Sequence, residues 1–359
     1  MLNIADVRLA NQRISQTTFK EPAEVAHWMG PMQGQDYTGA KWSVGLRLPH
    51  STDAAIEQAI SDKRIVRTWI MRGTLHLVAA ADVRWMTALV GPKLIAGNTR
   101  RYRQLELDSE TLIRSNDVLA NALRDGARLS RTELVALLEQ EGISTKGQRT
   151  PYMLQRASYD GLICQGTAPR SDPIYMALDS SFPTVTWTRE EAIAKLFERY
   201  IMSRGPATLP DFVQWSGLLI SEAKAALAGL SSQLRSDTVG GKTYWRSLKI
   251  PSVPDNAPTL YLLPGFDEYL LGYKDRRDVL DPKYAKQVCP GGNGVFMPTI
   301  VSEGRVIGIW RRAFKKGSVI ITPQPFSSLS DEEHVAFAKA AQGYADFLGM
   351  PMGLSFEVS

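Results

Sequence analysis

The chain has 359 residues, 44% hydrophobic and 22% charged, which excludes a disordered, collagenous or disulfide-scaffold protein; at roughly 150 residues per domain it holds two or three modules. Lysine and arginine exceed aspartate and glutamate by 42 − 37 = 5, which favours an anionic partner but falls short of a histone-like balance. Two cysteines without CxxC spacing, and His27, His50, His76 and His334 without metal-ligand spacing, fit a reducing compartment and metal-free chemistry. With no leader-like or membrane-spanning apolar run, a cytoplasmic protein is expected.

The first segment reads as helices near 3–15, 22–30, 36–47 and 52–62, followed by strands 65–70 and 74–78 turning at Arg72-Gly73. Segment 94–110, with Arg100, Arg101 and Arg103 around Tyr102, reads as a linker or a helical bridge. Ser130 and Glu133 form a capping box, Leu134, Leu137 and Leu138 an apolar stripe, and Gly142 a stop. Lys146, Arg149, Tyr152 and Arg156 recur at helical spacing, so a second, basic-faced helix is expected to end near Asp160-Gly161. Strands 162–165 and 174–178 follow as a hairpin across the turn-rich 166–172.

That order of helix, helix and hairpin is a winged helix, and it recurs. Thr188 and Glu191 open a long helix, Thr208 and Asp211 cap a short one with Phe212 and Trp215, residues 221–230 form another, and a hairpin turns at Gly240-Gly241. After the proline-rich 250–258, strands TLYLL, VFMPTIV, RVIGIW and SVIITP and a helix over 330–348 make an α+β module. The expected division is 1–100, 101–185, 186–250 and 251–359, in an α+β, mainly α fold.

Three local features can carry chemistry. Gln33 and Gln35 flank Gly34 in MQGQD; in an extended segment both carboxamides face one side and can hold a water, although solvated or helix-capping glutamines read the same way. In MRGTLHLV, alternation sends Leu75 and Leu77 inward and Thr74 and His76 outward, where the histidine can contact a reacting group or serve structure alone. GRVIGIWRRAFKKGSV places Arg305, Arg311, Arg312, Lys315 and Lys316 beside Trp310 and Phe314, a pattern suited to phosphates and bases or simply to a soluble edge. Among carboxylates, Asp36, Asp267 and Glu268 are candidate bases, with Asp36 better placed to cap the helix that follows it.

The blocks MGPMQGQDYTGAKWSVGLR, RTWIMRGTLHLVAAADVRWM, LLPGFDEYLLGYKDR and GRVIGIWRR, in this order across nearly the whole chain, resemble the winged-helix DNA glycosylases typified by AlkZ and YcaQ. The resemblance implies tandem winged helices in a C-shaped, DNA-clasping body with a C-terminal β module. In that family Gln-x-Gln marks the catalytic centre of the AlkZ branch and Gln-x-Asp that of the YcaQ branch. Gln33 and Gln35 match the former, with Gly34 where a larger apolar residue is usual, and Thr74 and His76 match a Thr-x-His pattern with a supporting histidine.

The implied activity is hydrolytic excision of N7-alkylated purines, including bulky or crosslinking adducts, from double-stranded DNA. A water positioned by Gln33 and Gln35 would attack, without metal or cofactor, in a monomer. Arg311, Arg312, Lys315 and Lys316 would hold the backbone, with Arg100, Arg101, Lys146, Arg149 and Arg156 as further contacts. The alternative is a noncatalytic winged-helix DNA binder or transcription regulator, which the Gly34 departure favours and which would read sequence through the basic helix.

Overall fold

The computed structural model describes residues 2–168, 172–249, 257–292 and 294–355. Helices α1 (Ile4–Asn11) and α2 (Pro22–Met29) precede a two-residue strand β1 (Met32–Gln33), α3 (Tyr37–Gly45) and α4 (Asp53–Ser61). A hairpin of β2 (Ile65–Trp69) and β3 (Leu75–Ala79) runs into α5 (Ala80–Gly97), α6 (Thr99–Gln104) and α7 (Ser109–Ala122). Next come β4 (Arg128–Ser130), α8 (Arg131–Gln140), α9 (Arg149–Tyr159), β5 (Ile163–Gln165) and β6 (Ile174–Ala177). Helices α10 (Arg189–Arg204), α11 (Leu209–Ser216) and α12 (Ile220–Leu230) lead to the hairpin β7 (Leu234–Val239) and β8 (Lys242–Ser247). The remainder holds β9 (Leu260–Leu263), short α13 (Glu268–Leu271) and α14 (Ala285–Val288), β10 (Thr299–Ser302), β11 (Arg305–Lys315), β12 (Ser318–Pro325), α15 (Asp331–Leu348) and β13 (Met352–Leu354).

Locally coded ends form as their side chains dictate. At α8 the Glu133 amide donates to Ser130 Oγ (3.2 Å) and the Ser130 amide to Glu133 Oε2 (2.7 Å); the same reciprocal box opens α11 at Thr208 and Asp211 and α15 at Ser330 and Glu333. Such boxes satisfy amides the first turn leaves without partners. Gly142, at φ +73°, follows α8 in the left-handed region that a stop there requires.

The chain packs as two compact units, residues 58–193 and residues 1–57 with 194–359. The expected four modules follow chain order, whereas these units follow packing. In the unit 58–193 the strands run in the order β3-β2-β5-β6-β4, antiparallel throughout. The hairpins expected in separate modules therefore join edge to edge, where Arg67 of β2 faces Gln165 of β5 and donates to its Oε1 at 3.1 Å. Helices α7, α8 and α9 close over a core that includes Leu112, Leu119, Leu134, Leu138, Met153 and Leu154.

In the other unit the sheet order is β13-β12-β11-β10-β9, antiparallel except for the parallel β12–β13 pair. Leu263, Tyr269, Val279, Val288 and Val301 form one core. Trp42 stands within 5.1 Å of Tyr344 and 5.0 Å of Phe347, and Trp310 within 5.1 Å of Tyr344, so that α3 and α15 meet through aromatic rings.

Segment 94–110 takes the helical of its two expected readings, in α5, α6 and the start of α7, because Tyr102 and Leu107 are buried in the core and hold it down. Two expectations need correction. Lys146 precedes α9 in a turn, since the helix begins only at Arg149. Within VFMPTIV only residues from Thr299 pair as a strand, the preceding Pro298 lacking a ladder donor. The strands β4 and β13 complete their sheets although the pattern did not announce them. The linker at 250–256 and the turn at 169–171 lie outside the described residues. Among the described residues no helix is long and apolar enough to cross a membrane.

Candidate active site

Gln33 closes β1, and the backbone bends at Gln35 before α3 begins. The extended geometry expected to align the two carboxamides thus ends at Gln33, and the pair sits in different environments: Gln33 is 9% exposed, whereas Gln35 is solvent-exposed. Gly30, at φ +66°, turns the chain out of α2 in a conformation that favours glycine. The Gln33 amide donates to Glu268 Oε1 at 3.1 Å.

Glu268 and its neighbour Asp267, expected as possible bases, are buried and ion-paired. Glu268 is 1% exposed, and its Oε2 accepts from Arg204 Nη2 (2.7 Å) and Nε (3.0 Å) and from Trp215 Nε1 (2.9 Å). Asp267 accepts both Arg47 amino groups at 2.8 Å, Ser43 Oγ at 2.7 Å and the Tyr269 amide at 2.9 Å. Burial pushes the Asp267 carboxyl up, but the Arg47 guanidinium and these donors outweigh it and hold the group below its ordinary value. Both carboxylates are thus engaged by donors from their own unit.

Asp36 stands at the cap position of α3 but makes no cap hydrogen bond. Its Oδ2 accepts instead from Arg312 Nη2 at 3.1 Å, a charge-assisted bond, while Arg312 Nη1 donates to Tyr344 Oη at 2.9 Å. Arg312, expected at a DNA backbone, is therefore committed within its own unit. Arg311, Lys315 and Lys316 are exposed on the same hairpin, whose turn uses Lys316 at φ +46° and Gly317 at φ +78°, and Phe314 is 54% exposed beside them.

In the unit 58–193, Arg72 (φ +56°) and Gly73 (φ +76°) make the expected turn between β2 and β3. His76 is fully buried, paired across the ladder with Thr68, and β3 is buried along both faces, so Thr74–His76 is not the outward face that alternation suggested. His76 Nδ1 lies 2.9 Å from the Thr74 carbonyl oxygen, which can only accept a hydrogen bond from it. Thr74 is half-buried, its Oγ1 donating to the Met71 carbonyl at 3.3 Å.

The expected basic contacts divide. Arg100 and Lys146 are exposed. Arg101 donates to Gln104 and Gln148 and lies 5.5 Å from the Tyr152 ring. Arg149 grips the carbonyls of Ser144, Leu105 and Glu106, and Arg156 pairs with Asp160 at 2.6 Å. Arg204 and Trp215, which fasten Glu268, carried no sequence signal because their partner is far away in the chain.

A family profile described as DNA glycosylase AlkZ-like matches residues 26–347. The chain is 26% identical over 341 residues to an interstrand DNA cross-link repair glycosylase of Streptomyces sahachiroi, covering 89% of each protein. It is also similar to the solved structure of the Streptomyces sahachiroi DNA glycosylase AlkZ, with a TM-score of 0.80, 22% identity and 98% of each chain covered. The described blocks and their fold thus converge on one conclusion: this chain belongs to the AlkZ-like DNA glycosylase family.

Proposed function

We propose that the protein excises N7-alkylated purines from double-stranded DNA by hydrolysing the N-glycosidic bond. The observation that carries this reading is the Gln-Gly-Gln segment, which falls inside the family match and offers one nearly buried and one exposed glutamine. Alkylation at N7 puts positive charge on the base, so it departs neutral and little acid catalysis is needed. What the protein must add is a water held near C1′ and dipoles facing an oxocarbenium-like transition state. Amide oxygens of Gln33 and Gln35 supply both. The similarity to a relative named for interstrand cross-link repair supports including crosslinking adducts in the proposed substrate range, with other bulky adducts beside them.

Exposed Arg311, Lys315 and Lys316 hold the duplex, assisted by Arg100 and Lys146. The order α7, β4, α8, α9, β5, β6, with β4 against β6, is that of a winged helix, and α10, α11 and α12 with the β7–β8 hairpin repeat it. This order supports modules at 101–185 and 186–250; the proposal sets 1–100 and 251–359 beside them and takes the protein to act as a monomer. The alternative of a sequence-reading regulator loses ground because Arg149 and Arg156 are tied to partners within their own unit.

The test is a duplex with a single N7-methylguanine, scored for alkali-labile abasic sites. Wild-type protein releases the base, while Gln33→Ala and Gln35→Ala each slow release by on the order of 10²-fold or more. Sequence-selective binding with no release under any condition overturns the reading.

A further inference from the structure

We infer that the Arg204–Glu268 ion pair is a positioning clamp for the segment that carries Gln33, an inference that rests on the catalytic reading of that residue. The two partners grip the segment at both ends. Arg204 Nη1 donates to the Met29 carbonyl at the close of α2, and Glu268 Oε1 accepts the Gln33 amide at 3.1 Å. Between these points lie Gly30, Pro31 and Met32, with Gly34 just beyond. Gly30 and Gly34 leave the backbone free to turn on either side while Pro31 fixes only its own φ, so the contacts at both ends help to set where Gln33 sits.

The pair itself is rigid. Arg204 is fully buried and Glu268 nearly so. Nε and Nη2 of the guanidinium meet one carboxylate oxygen, Trp215 Nε1 donates to the same atom, and Ser203 Oγ takes a further Arg204 donor. That leaves Glu268 Oε1 for the Gln33 amide. Fixing the amide nitrogen fixes the adjacent Cα from which the carboxamide projects, and misplacing such a group by about 1 Å costs on the order of 10²-fold in rate.

The clamp separates positioning from binding. Glu268→Gln keeps the volume, but its amide must present oxygen to Arg204 and Trp215 and so turns a donor toward the Gln33 amide. Glu268→Asp keeps the charge for Arg204 and withdraws the carboxylate from Gln33. The experiment measures single-turnover release of N7-methylguanine, duplex affinity, and amide hydrogen exchange at Gln33 in wild type and both variants. Val301→Ala serves as a core variant that lowers stability without touching the clamp.

In whichever Glu268 variant folds, we expect release slowed by on the order of 10²-fold, affinity unchanged and faster exchange at Gln33, while Val301→Ala keeps wild-type release. A folded Glu268 variant with wild-type release, or with Gln33 exchange unchanged, overturns the clamp. If the wild-type protein releases no base, the catalytic reading fails instead, and Gln33 exchange alone decides whether the clamp exists.

Discussion

Asp267 shows how one side chain is fixed by its surroundings. A buried carboxylate is tolerated only when paired and fully hydrogen-bonded, and Arg47 and Ser43 meet that need. Arg47→Met should therefore destabilise the protein by about 3–5 kcal/mol, read from urea unfolding, because the carboxylate is left buried without a counter-charge. The thiols offer a second test. Burial pushes Cys164 up to about 12, whereas Cys289 is only half-buried; a thiol reagent at pH 8 should label Cys289 and leave Cys164 unmodified until the protein unfolds. Sequence spacing named Asp267 and Glu268 but could not give their role, since their partners lie 220, 64 and 235 residues away.

Helix ends and close approaches decide matters at the scale of elements. The α8 cap was legible because its partners are three residues apart; Ser130→Ala should cost about 1 kcal/mol, measured by chemical denaturation. Gly45 was not legible as a packing residue. A Cβ there would lie 2.4 Å from Cε2 of Phe347 on α15, so Gly45→Ala should destabilise by about 1–3 kcal/mol and lower the melting temperature. The same reasoning explains β3. Period-two alternation predicts an open face, but a strand packed on both faces buries every residue, His76 included. Strand β4 escaped notice because three residues carry little pattern and its register partners, Met176 to Ile174, come later in the chain.

At the scale of the whole molecule, the net charge of +5 matters less than which cations stay available. Arg311→Ala and Lys315→Ala should each reduce the salt slope of DNA binding by about one, whereas Arg312→Ala should leave it unchanged because that guanidinium is held by Asp36. An unchanged slope in the first two would remove the β11–β12 hairpin from the interface. Stability should also fall in acid. Asp267 titrates below its unfolded value near 3.9, so its contribution is complete above that pH and is lost as pH falls through the folded value. Unfolding measured across this range should show a shallower acid decline in Arg47→Met. The sequence by itself determined the helices with local caps, the hairpin turns and the Gln-Gly-Gln segment, because each depends on neighbours a few residues apart. Tertiary structure alone decided which charges are committed, that β3 is buried on both faces and what holds Gln33, because burial and pairing depend on residues brought together from distant parts of the chain.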